Sequence, residues 1–356
     1  MNFVAVFMAF FAMLGALDRI CGNRFGLGKE FEKGFYLFGN MAMSMMGMII
    51  ISPLIADLLA PVFGFTYNVL GIDASVIPAS LFANDMGGAP LAVEVAQNEK
   101  IGLFNALVVS SMMGCTISFT IPYALSAVDK EHHKEMLIGF LCGITTIPIG
   151  CFFAGLAAKL PVTDLLINLL PLVIFSGLIA VGLLLCPMVC VKIFSVFGTF
   201  MKILITVGLA LGILKFLTGI EIFKNLETLE AAADVCVNAC TVMSGAFPFL
   251  FIVSKLLSKP IVKLGNKMDV NETSAMGFVS SLATSVTTYE MMGKMDKKGI
   301  VLNSAFTISG AFTFAGHLAF TLAFDANYIF PVIIGKLVAG VLAVILAALI
   351  RKRTAN

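Results

Sequence analysis

Long apolar stretches, separated by short charged breaks, follow one another along almost the whole chain. Each is about 20 residues long, the length at which an α-helix crosses a hydrocarbon core of about 30 Å. The stretches are 2–17, 35–59, 101–123, 136–158, 165–186, 194–217, 233–254, 300–323 and 328–350. No interval between them is long enough for a soluble domain. The pattern predicts an all-α polytopic membrane protein with about nine transmembrane helices.

Two further segments, 74–97 and 271–292, are polar in the centre, where a lipid-facing helix should be most apolar. The first carries Asn84-Asp85-Met86-Gly87-Gly88 at its centre, and the second carries serines and threonines between 280 and 288. Polar or broken backbone at membrane depth is tolerated only when it is buried in protein or lines a cavity. We therefore expect two re-entrant hairpins, and the alternative is eleven full transmembrane helices.

The distribution of Lys and Arg favours the hairpins, because positively charged loops lie on the cytoplasmic side of inner membranes. With two hairpins, every cluster of three or more basic residues is cytoplasmic. Eleven crossings would instead place the lysine cluster between 255 and 267 outside. The preferred topology has the N-terminus outside and the C-terminal Arg351-Lys352-Arg353 in the cytoplasm of a bacterial cell.

The order helix, hairpin, helix, helix occurs twice, at about 35–158 and about 233–350. With two re-entrant segments, the second copy runs in the opposite sense to the first, which predicts an inverted repeat whose hairpin tips meet near the midplane. The N-terminal helix 2–17 and the linking helices 165–217 complete a single membrane transport domain, 1–356. Seven residues recur after 198 positions: Asn40, Met45, Gly47, Leu58, Leu59, Asn105 and Ser111, as Asn238, Met243, Gly245, Leu256, Leu257, Asn303 and Ser309.

Composition agrees with a membrane protein: 59% of the 356 residues are hydrophobic and 12% are charged. Soluble domains carry about 25% charged residues. The formal net charge of +2 is small, so no nucleic-acid partner is implied. The eight cysteines lie mostly in apolar runs and predict packing rather than a disulfide framework or a metal site. No enzyme motif appears in its required context, so we expect a transporter that is not an enzyme and has no cofactor.

Asp85 is the first candidate for binding a solute, because an unpaired carboxylate at membrane depth costs about 2.5–3.5 kcal/mol to insert. At a hairpin tip it either faces a cavity and attracts a cation or ties the tip together through backbone N–H groups. Asn84 could orient the same ligand. Gly87 and Gly88 would let the chain turn close to it.

The second hairpin offers hydroxyl groups from Thr284, Ser285 and Thr288, which either bind a solute or sodium ion or only satisfy helix backbone. His317, in the eighth full helix, is a candidate for relaying protons or for one packing hydrogen bond. Candidates for coupling to Na⁺ or H⁺ also include the repeated residues Asn105 and Asn303. Lys202 and Lys336 are cations within apolar runs that either snorkel or pair with a carboxylate.

Several motifs along the chain resemble those of the ethanolamine-utilisation permease family. They are Ser80-Leu81-Phe82-Ala83-Asn84-Asp85-Met86-Gly87-Gly88, Ser110-Ser111-Met112-Met113-Gly114, Thr146-Ile147-Pro148-Ile149-Gly150-Cys151, Phe330-Pro331 and Gly335-Lys336-Leu337. The resemblance covers nearly the whole chain. It implies an inner-membrane protein that brings ethanolamine into bacteria that degrade it.

The expected solute fits the candidate residues. Ethanolamine is a primary ammonium with one hydroxyl, so its site needs an anion and a polar partner, which Asp85 and the tip of the second hairpin supply. We expect the two tips to bind the solute while the repeats rock around it. A channel-like facilitator, a cation or proton antiporter using Asp85 and His317, and an intramembrane enzyme remain alternatives. The coupling ion and a homo-oligomeric state stay open.

Overall fold

The computed structural model describes the backbone of residues 3–36 and 38–354. Side chains at 3–4, 40–41, 62–65, 191, 254, 257–267 and 351–354 lie outside the described part. The repeated Asn40 and Leu257, the C-terminal basic cluster and most of the lysine cluster between 255 and 267 therefore lie among the residues whose side chains are not described. The described residues form helices joined by turns, without a strand.

Sixteen α-helical segments follow one another in the described part of the chain. They are α1 (Phe3–Ile20), α2 (Leu27–Tyr36), α3 (Phe38–Leu70), α4 (Val76–Leu81), α5 (Gly88–Val95), α6 (Glu99–Phe104), α7 (Ile121–Ala127), α8 (His133–Ala157), α9 (Val162–Leu185), α10 (Pro187–Thr218), α11 (Leu229–Lys267), α12 (Glu272–Ala283), α13 (Ser285–Glu290), α14 (Lys297–Gly310), α15 (Gly316–Phe324) and α16 (Ile329–Thr354).

Seven helical stretches of the described part are long and apolar enough to cross a membrane. They are Ala42–Pro61, Glu99–Ala127, Lys130–Ala157, Val162–Leu185, Pro187–Thr218, Leu229–Val253 and Ala326–Ile350. The protein is thus a multi-pass helical membrane protein, as the apolar pattern predicts. Two of the nine expected crossings are not among the seven. One, 2–17, begins outside the described residues, and the other, 300–323, is interrupted at 311–315.

The stretches 61–70 and 259–267, which flank the two polar segments, do not form separate helices. Each continues the long helix before it, α3 or α11. Proline disfavours a helix interior because it lacks an N–H group, yet α3 passes both Pro53 and Pro61 without ending. The short helix α2, which the apolar pattern did not predict, connects α1 to α3.

The first polar segment is a broken helix whose two ends meet. After α4 the chain is extended at Phe82, Gly87 adopts the left-handed conformation with φ 89°, and α5 begins at Gly88. A Cβ atom at position 87 would also overlap the side chain of Met48, so this position requires glycine. The Ser118 hydroxyl accepts a 3.0 Å hydrogen bond from the Ala83 N–H in the break. The break is therefore held by a neighbouring helix.

Asp73 joins the beginning of this segment to its end. Its Oδ1 atom accepts hydrogen bonds from the backbone and hydroxyl of Ser75, at 3.0 and 2.5 Å. Its Oδ2 atom accepts from the backbone N–H groups of Gln97 and Asn98, at 3.0 and 2.8 Å. Because residues 73–75 and 97–98 share one carboxylate, the segment 74–97 folds back on itself as a helical hairpin.

Asp296 does the same for the second polar segment. Its carboxylate accepts from the Asn271 N–H at 3.0 Å, the Ser274 hydroxyl at 2.8 Å and the Gly299 N–H at 3.2 Å. Burial by itself would raise the pKa of Asp296, but these hydrogen bonds to the ionised form outweigh it and the pKa lies below its ordinary value. The segment between Asn271 and Asp296 is therefore a second helical hairpin, made of α12 and α13.

Each hairpin is followed by a helix that leaves α geometry in its middle. Between α6 and α7 the chain is π-helical at Asn105–Gly114 and Thr116–Thr120, and between α14 and α15 residues 311–315 are not helical. In the second case Phe312 and Phe314 donate their backbone N–H groups to carbonyls of the second hairpin, at 2.9 and 3.0 Å. The interruption of the expected helix 300–323 is stabilised by this contact, which only the folded chain provides.

The helices α8 and α16 pack closely against each other and run antiparallel. A Cβ atom at Gly335 would lie 2.8 Å from the Ala154 side chain, and one at Gly150 would overlap the Gly335 carbonyl. The Thr146 hydroxyl donates a 3.0 Å hydrogen bond to the Ala339 carbonyl. Small residues allow this approach, as is common between transmembrane helices.

We predict that Asp73→Ala destabilises the protein by about 2–4 kcal/mol, because hydrogen bonds to a charged group contribute about 1.5–3 kcal/mol each and water replaces only part of them. Thermal unfolding of the purified protein in detergent measures the effect. Glu94→Ala removes an exposed carboxylate from the same hairpin and should leave the unfolding midpoint unchanged. Equal unfolding midpoints for the two variants would show that the hydrogen bonds of Asp73 do not stabilise the hairpin.

Candidate functional site

A cavity of about 250 Å³ lies between the break of the first hairpin and the helices that follow each hairpin. A water molecule occupies about 30 Å³ in the liquid, so the cavity has room for a solute of a few non-hydrogen atoms. Its walls combine one carboxylate and one imidazole with apolar and aromatic groups. The lining residues are Ser44, Asp85, Met86, Cys115, Phe119, Phe312 and His317.

Asp85 reaches this cavity from the short 3₁₀ turn Asn84–Met86, between α4 and α5. The residue is half-buried. Among the described residues, no other residue donates a hydrogen bond to its carboxylate; the only one recorded comes from its own backbone. A buried anion without protein donors attracts a cation strongly. The surroundings of Asp85 therefore differ from those of Asp73 and Asp296, each of which accepts hydrogen bonds from several donors.

Lys336, on α16, is almost completely buried, with 1% of its surface exposed. Its Nζ donates to the Ser111 carbonyl at 2.9 Å and to Nδ1 of His317 at 3.1 Å. It also lies close enough to Asp85 for a direct electrostatic interaction. The site therefore contains a cation and an anion whose charges compensate each other in the protein interior.

The contact with Lys336 fixes the protonation of His317. An ammonium group has only donors, so Nδ1 of His317 must be the acceptor, and the neutral ring carries its proton on Nε2. The ring packs on Phe312 with the centroids 5.1 Å apart. No described residue accepts a hydrogen bond from Nε2. Because the ring lines the cavity, this N–H group is the natural donor for an occupant.

Phe312 lies between this cavity and a second one. Its backbone has a φ of 61°, in the left-handed region that bulky residues rarely adopt. Its ring contacts Phe119 at 5.8 Å, on the Asp85 side. Two residues further on, Phe314 lines a separate cavity of about 350 Å³. The segment 311–315 thus forms a partition between two cavities.

The hydroxyl residues of the second hairpin do not share the cavity of Asp85 in this conformation. Thr284 lines the second cavity, together with Thr287 and Phe314. Thr288 is buried and donates to the Gly277 carbonyl at 3.1 Å. Ser285 is completely buried, and its hydroxyl has no partner in the described part of the chain.

The remaining candidates lie in and beside the hairpins. Asn84 is completely buried beside Asp85, and neither its amide oxygen nor its nitrogen has a partner among the described residues. Asn105 donates to the Ser75 hydroxyl, and Asn303 donates to the Ser274 carbonyl. The amide oxygens of Asn105 and Asn303 have no described partner. Both asparagines therefore support the base of a hairpin and keep one acceptor unused.

Gly88 supports the break near the first hairpin's tip. Its N–H donates a 2.8 Å hydrogen bond to the Ala83 carbonyl, which closes the turn around Asp85. Among the described residues no group of three or more His, Cys, Asp and Glu side chains is arranged to hold a metal ion.

The sequence does not single out Lys336 as a solute ligand, nor the lining residues Ser44, Met86, Cys115, Phe119 and Phe312. It predicts at Lys336 a cation that snorkels or pairs, and it gives Phe312 no role. A lysine in the apolar run 328–350 was a signal for the first. Nothing in the local sequence identified the second, because its position depends on the contact of the segment 311–315 with the hairpin.

Helices that cross a membrane, together with charged groups enclosed inside the helical bundle, define a multi-pass membrane protein with an internal polar site. The family model described as "Ethanolamine utilisation protein, EutH" matches residues 1–350. The chain belongs to this family, and the resemblance found in the motifs is confirmed.

Three similar proteins each align with nearly the whole of this chain. "Probable ethanolamine permease EutH" of Listeria monocytogenes is 40% identical over 337 residues, which cover 95% of this chain and 90% of the relative. The protein of the same name from Salmonella typhimurium is 35% identical over 375 aligned residues, 95% of this chain and 92% of the relative. "Uncharacterized protein YxeR" of Bacillus subtilis is 35% identical over 345 residues, 97% and 93% of the two chains. No solved structure matches the chain.

Proposed function

We propose that this protein is an ethanolamine permease of the bacterial inner membrane, rather than an enzyme. The observation that carries the proposal is the carboxylate of Asp85, which faces a cavity without a hydrogen-bond donor from another described residue. Two relatives that cover nearly the whole chain are named as ethanolamine permeases. The solute is a small cation with one hydroxyl, and the cavity has a matching size and polarity.

In the bound state the ammonium group lies against Asp85, and the hydroxyl oxygen accepts a hydrogen bond from Nε2 of His317. Phe119 and Phe312 enclose the methylene groups, and their rings add attraction for the cation. Asn84, Gly87 and Gly88 hold the carboxylate at the tip of the first hairpin. Burial of both ends of the solute is favourable only if each finds its partner.

The second hairpin provides the next binding site along the transport path. Thr284, Ser285 and Thr288 offer hydroxyl groups near the second cavity, on the other side of the partition 311–315. Movement of this partition would pass the solute from one cavity to the other. Because the two cavities are separate in this conformation, alternating access is favoured over a channel that is continuously open.

The architecture that we propose is an inverted repeat, about 35–158 and about 233–350, with hairpins that enter the bilayer from opposite faces. Support comes from the helix bounds, which recur after about 198 residues: α8 begins at His133 and α16 at Ile329. At the bases of the two hairpins, Asp73 and Asn98 correspond in the same way to Asn271 and Asp296. The repeat thus keeps one acid and one amide at the base of each hairpin and exchanges their order.

We predict that Asp85→Asn lowers the uptake of labelled ethanolamine by proteoliposomes at least about 100-fold, because a neutral amide cannot compensate the ammonium charge in a site of low dielectric constant. Uptake is measured at mildly acid pH, where the neutral base is scarce and leaks slowly. Glu94→Gln, which neutralises an exposed carboxylate of the same hairpin, should transport normally. Normal transport by Asp85→Asn would exclude Asp85 from the site.

We predict that His317→Phe removes the preference for ethanolamine over ethylamine, which has the same ammonium but no hydroxyl. In the wild-type protein one hydrogen bond should give ethanolamine roughly ten-fold tighter binding. Competition against labelled ethanolamine measures both affinities in each variant. The ratio of the two affinities does not change when a substitution weakens the binding of both amines equally. An unchanged ratio would show that another group recognises the hydroxyl.

We predict that cysteines introduced at Gly71 and Glu99 both react with an impermeant reagent added outside the cell, because they lie at the two ends of the first hairpin. Cysteines at Asp269 and Lys294 should both react only from the cytoplasmic side. All four positions are exposed, and the exposed native Cys21 and Cys186 are removed beforehand. If the two members of either pair label from different sides, that segment crosses the membrane.

A further inference from the structure

Lys336 lies within electrostatic range of titratable groups from four neighbouring elements. His317, on α15, accepts one of its hydrogen bonds. Asp85 at the first hairpin tip, Cys115 in the π-helical stretch and Cys151 on α8 lie within direct electrostatic range. Of these, Asp85 is the only one that is an anion at neutral pH in its ordinary state. The buried ammonium therefore has one counter-ion, the same carboxylate that the proposed function assigns to the solute.

Two cations cannot share one buried carboxylate without cost. When the solute ammonium reaches Asp85, the enclosed cluster of solute, Asp85 and Lys336 would carry an uncompensated positive charge in a medium of low dielectric constant. His317 cannot relieve the excess charge, because it is already neutral as the acceptor of the Lys336 hydrogen bond. Loss of a proton from Lys336 restores neutrality.

The hydrogen bonds of Lys336 allow this loss. An ammonium has three protons, and two of them are held by the Ser111 carbonyl and by Nδ1 of His317. A neutral amine keeps two N–H groups, so both of these bonds survive deprotonation. The third proton makes neither of these bonds and can face Asp85. It is the proton that Lys336 loses when the ammonium group of the solute binds there.

We propose that Lys336 exchanges its proton for the solute: binding of ethanolammonium at Asp85 expels one proton from Nζ of Lys336, and release of the solute restores it. One N–H bond breaks, its electron pair stays on nitrogen, and a water molecule of the cavity accepts the proton. The reverse step takes a proton from water on the other side of the membrane. This inference rests on the proposed function and adds the way in which its charge is balanced.

Transport by this cycle moves one ethanolammonium inward and one proton outward, so no net charge crosses the membrane. At equilibrium the neutral base has the same concentration on both sides, as it would after passive diffusion. The protein then speeds the entry of ethanolamine without concentrating it beyond that limit, and metabolic consumption inside the cell draws the solute in.

The first experiment measures proton release when ethanolamine binds to the purified full-length protein at pH 6.5, in weak buffer with a pH-sensitive dye. Nearly all the ethanolamine is then already protonated, so the protons come from the protein. Binding is followed in parallel by equilibrium dialysis of the labelled solute. We expect about one proton released for each solute bound. Binding without proton release overturns the inference and leaves the proposed function intact, whereas absence of binding overturns both.

Two substitutions separate the charge of Lys336 from its packing. Lys336→Met is neutral and should bind ethanolamine without releasing a proton. Lys336→Arg keeps a positive charge that cannot be removed in a protein, so it should bind at least about ten-fold more weakly. Lys202→Met, at an exposed position of α10, is the matched control and should behave as wild type. Proton release by Lys336→Met equal to that of wild type would overturn the assignment to this lysine.

The second experiment imposes a membrane potential on proteoliposomes. Wild-type uptake should not depend on the potential, because the exchange carries no net charge. Lys336→Met should become voltage-dependent, with faster uptake when the inside is negative, since the solute then crosses without a compensating proton. A structural role for Lys336 would change the rate but not its voltage dependence. If the Met variant does not fold, voltage-dependent uptake by the wild-type protein is sufficient to overturn the inference.

Discussion

A polar group that this chain removes from water costs free energy unless it finds a partner, and this constraint accounts for most of the structure. In hydrocarbon an unpaired backbone group costs several kcal/mol, so a helix breaks at membrane depth only where other groups replace its hydrogen bonds. Asp73 and Asp296 supply these replacements at the bases of the hairpins. Ser118 supplies one at the first break, and the second hairpin receives the backbone of Phe312.

The same constraint separates three carboxylates, Asp73, Asp85 and Asp296, by role. Asp73 and Asp296 accept several donors and are therefore structural, whereas Asp85 has no donor from another described residue and faces a cavity. A carboxylate whose capacity to accept hydrogen bonds is not used by the protein is available to a ligand. Lys336 compensates its charge without donating a hydrogen bond to it, which leaves the anion accessible while the site is empty. Family membership and local chemistry point to the same kind of solute, a small cation.

The two halves of the chain have helices in the same order but use different residues at corresponding places. Their helix bounds correspond, and the acid and the amide at the base of each hairpin exchange places between them. The tips differ more: one carries Asp85, and the other carries hydroxyl groups near a separate cavity. Between the two cavities lies the strained backbone of Phe312, stabilised by the hairpin that it contacts. In the inverted repeat that we propose, the supports of the hairpins are preserved while the tips diverge, which suits a solute with two unlike ends.

The sequence by itself determined the membrane class, the family and the two polar segments, because apolar length and misplaced polarity are local properties that a bilayer constrains strongly. It also singled out Asp85 as a candidate ligand, since a carboxylate in an apolar run is costly unless it has a partner or a function. The tertiary structure decided which groups meet: that Lys336 reaches Ser111 and His317, that Thr284 lies in another cavity, and that 300–323 is interrupted. These depend on contacts between residues far apart in the chain, where the energy of a hydrogen bond or an ion pair is set by a partner that no local pattern specifies.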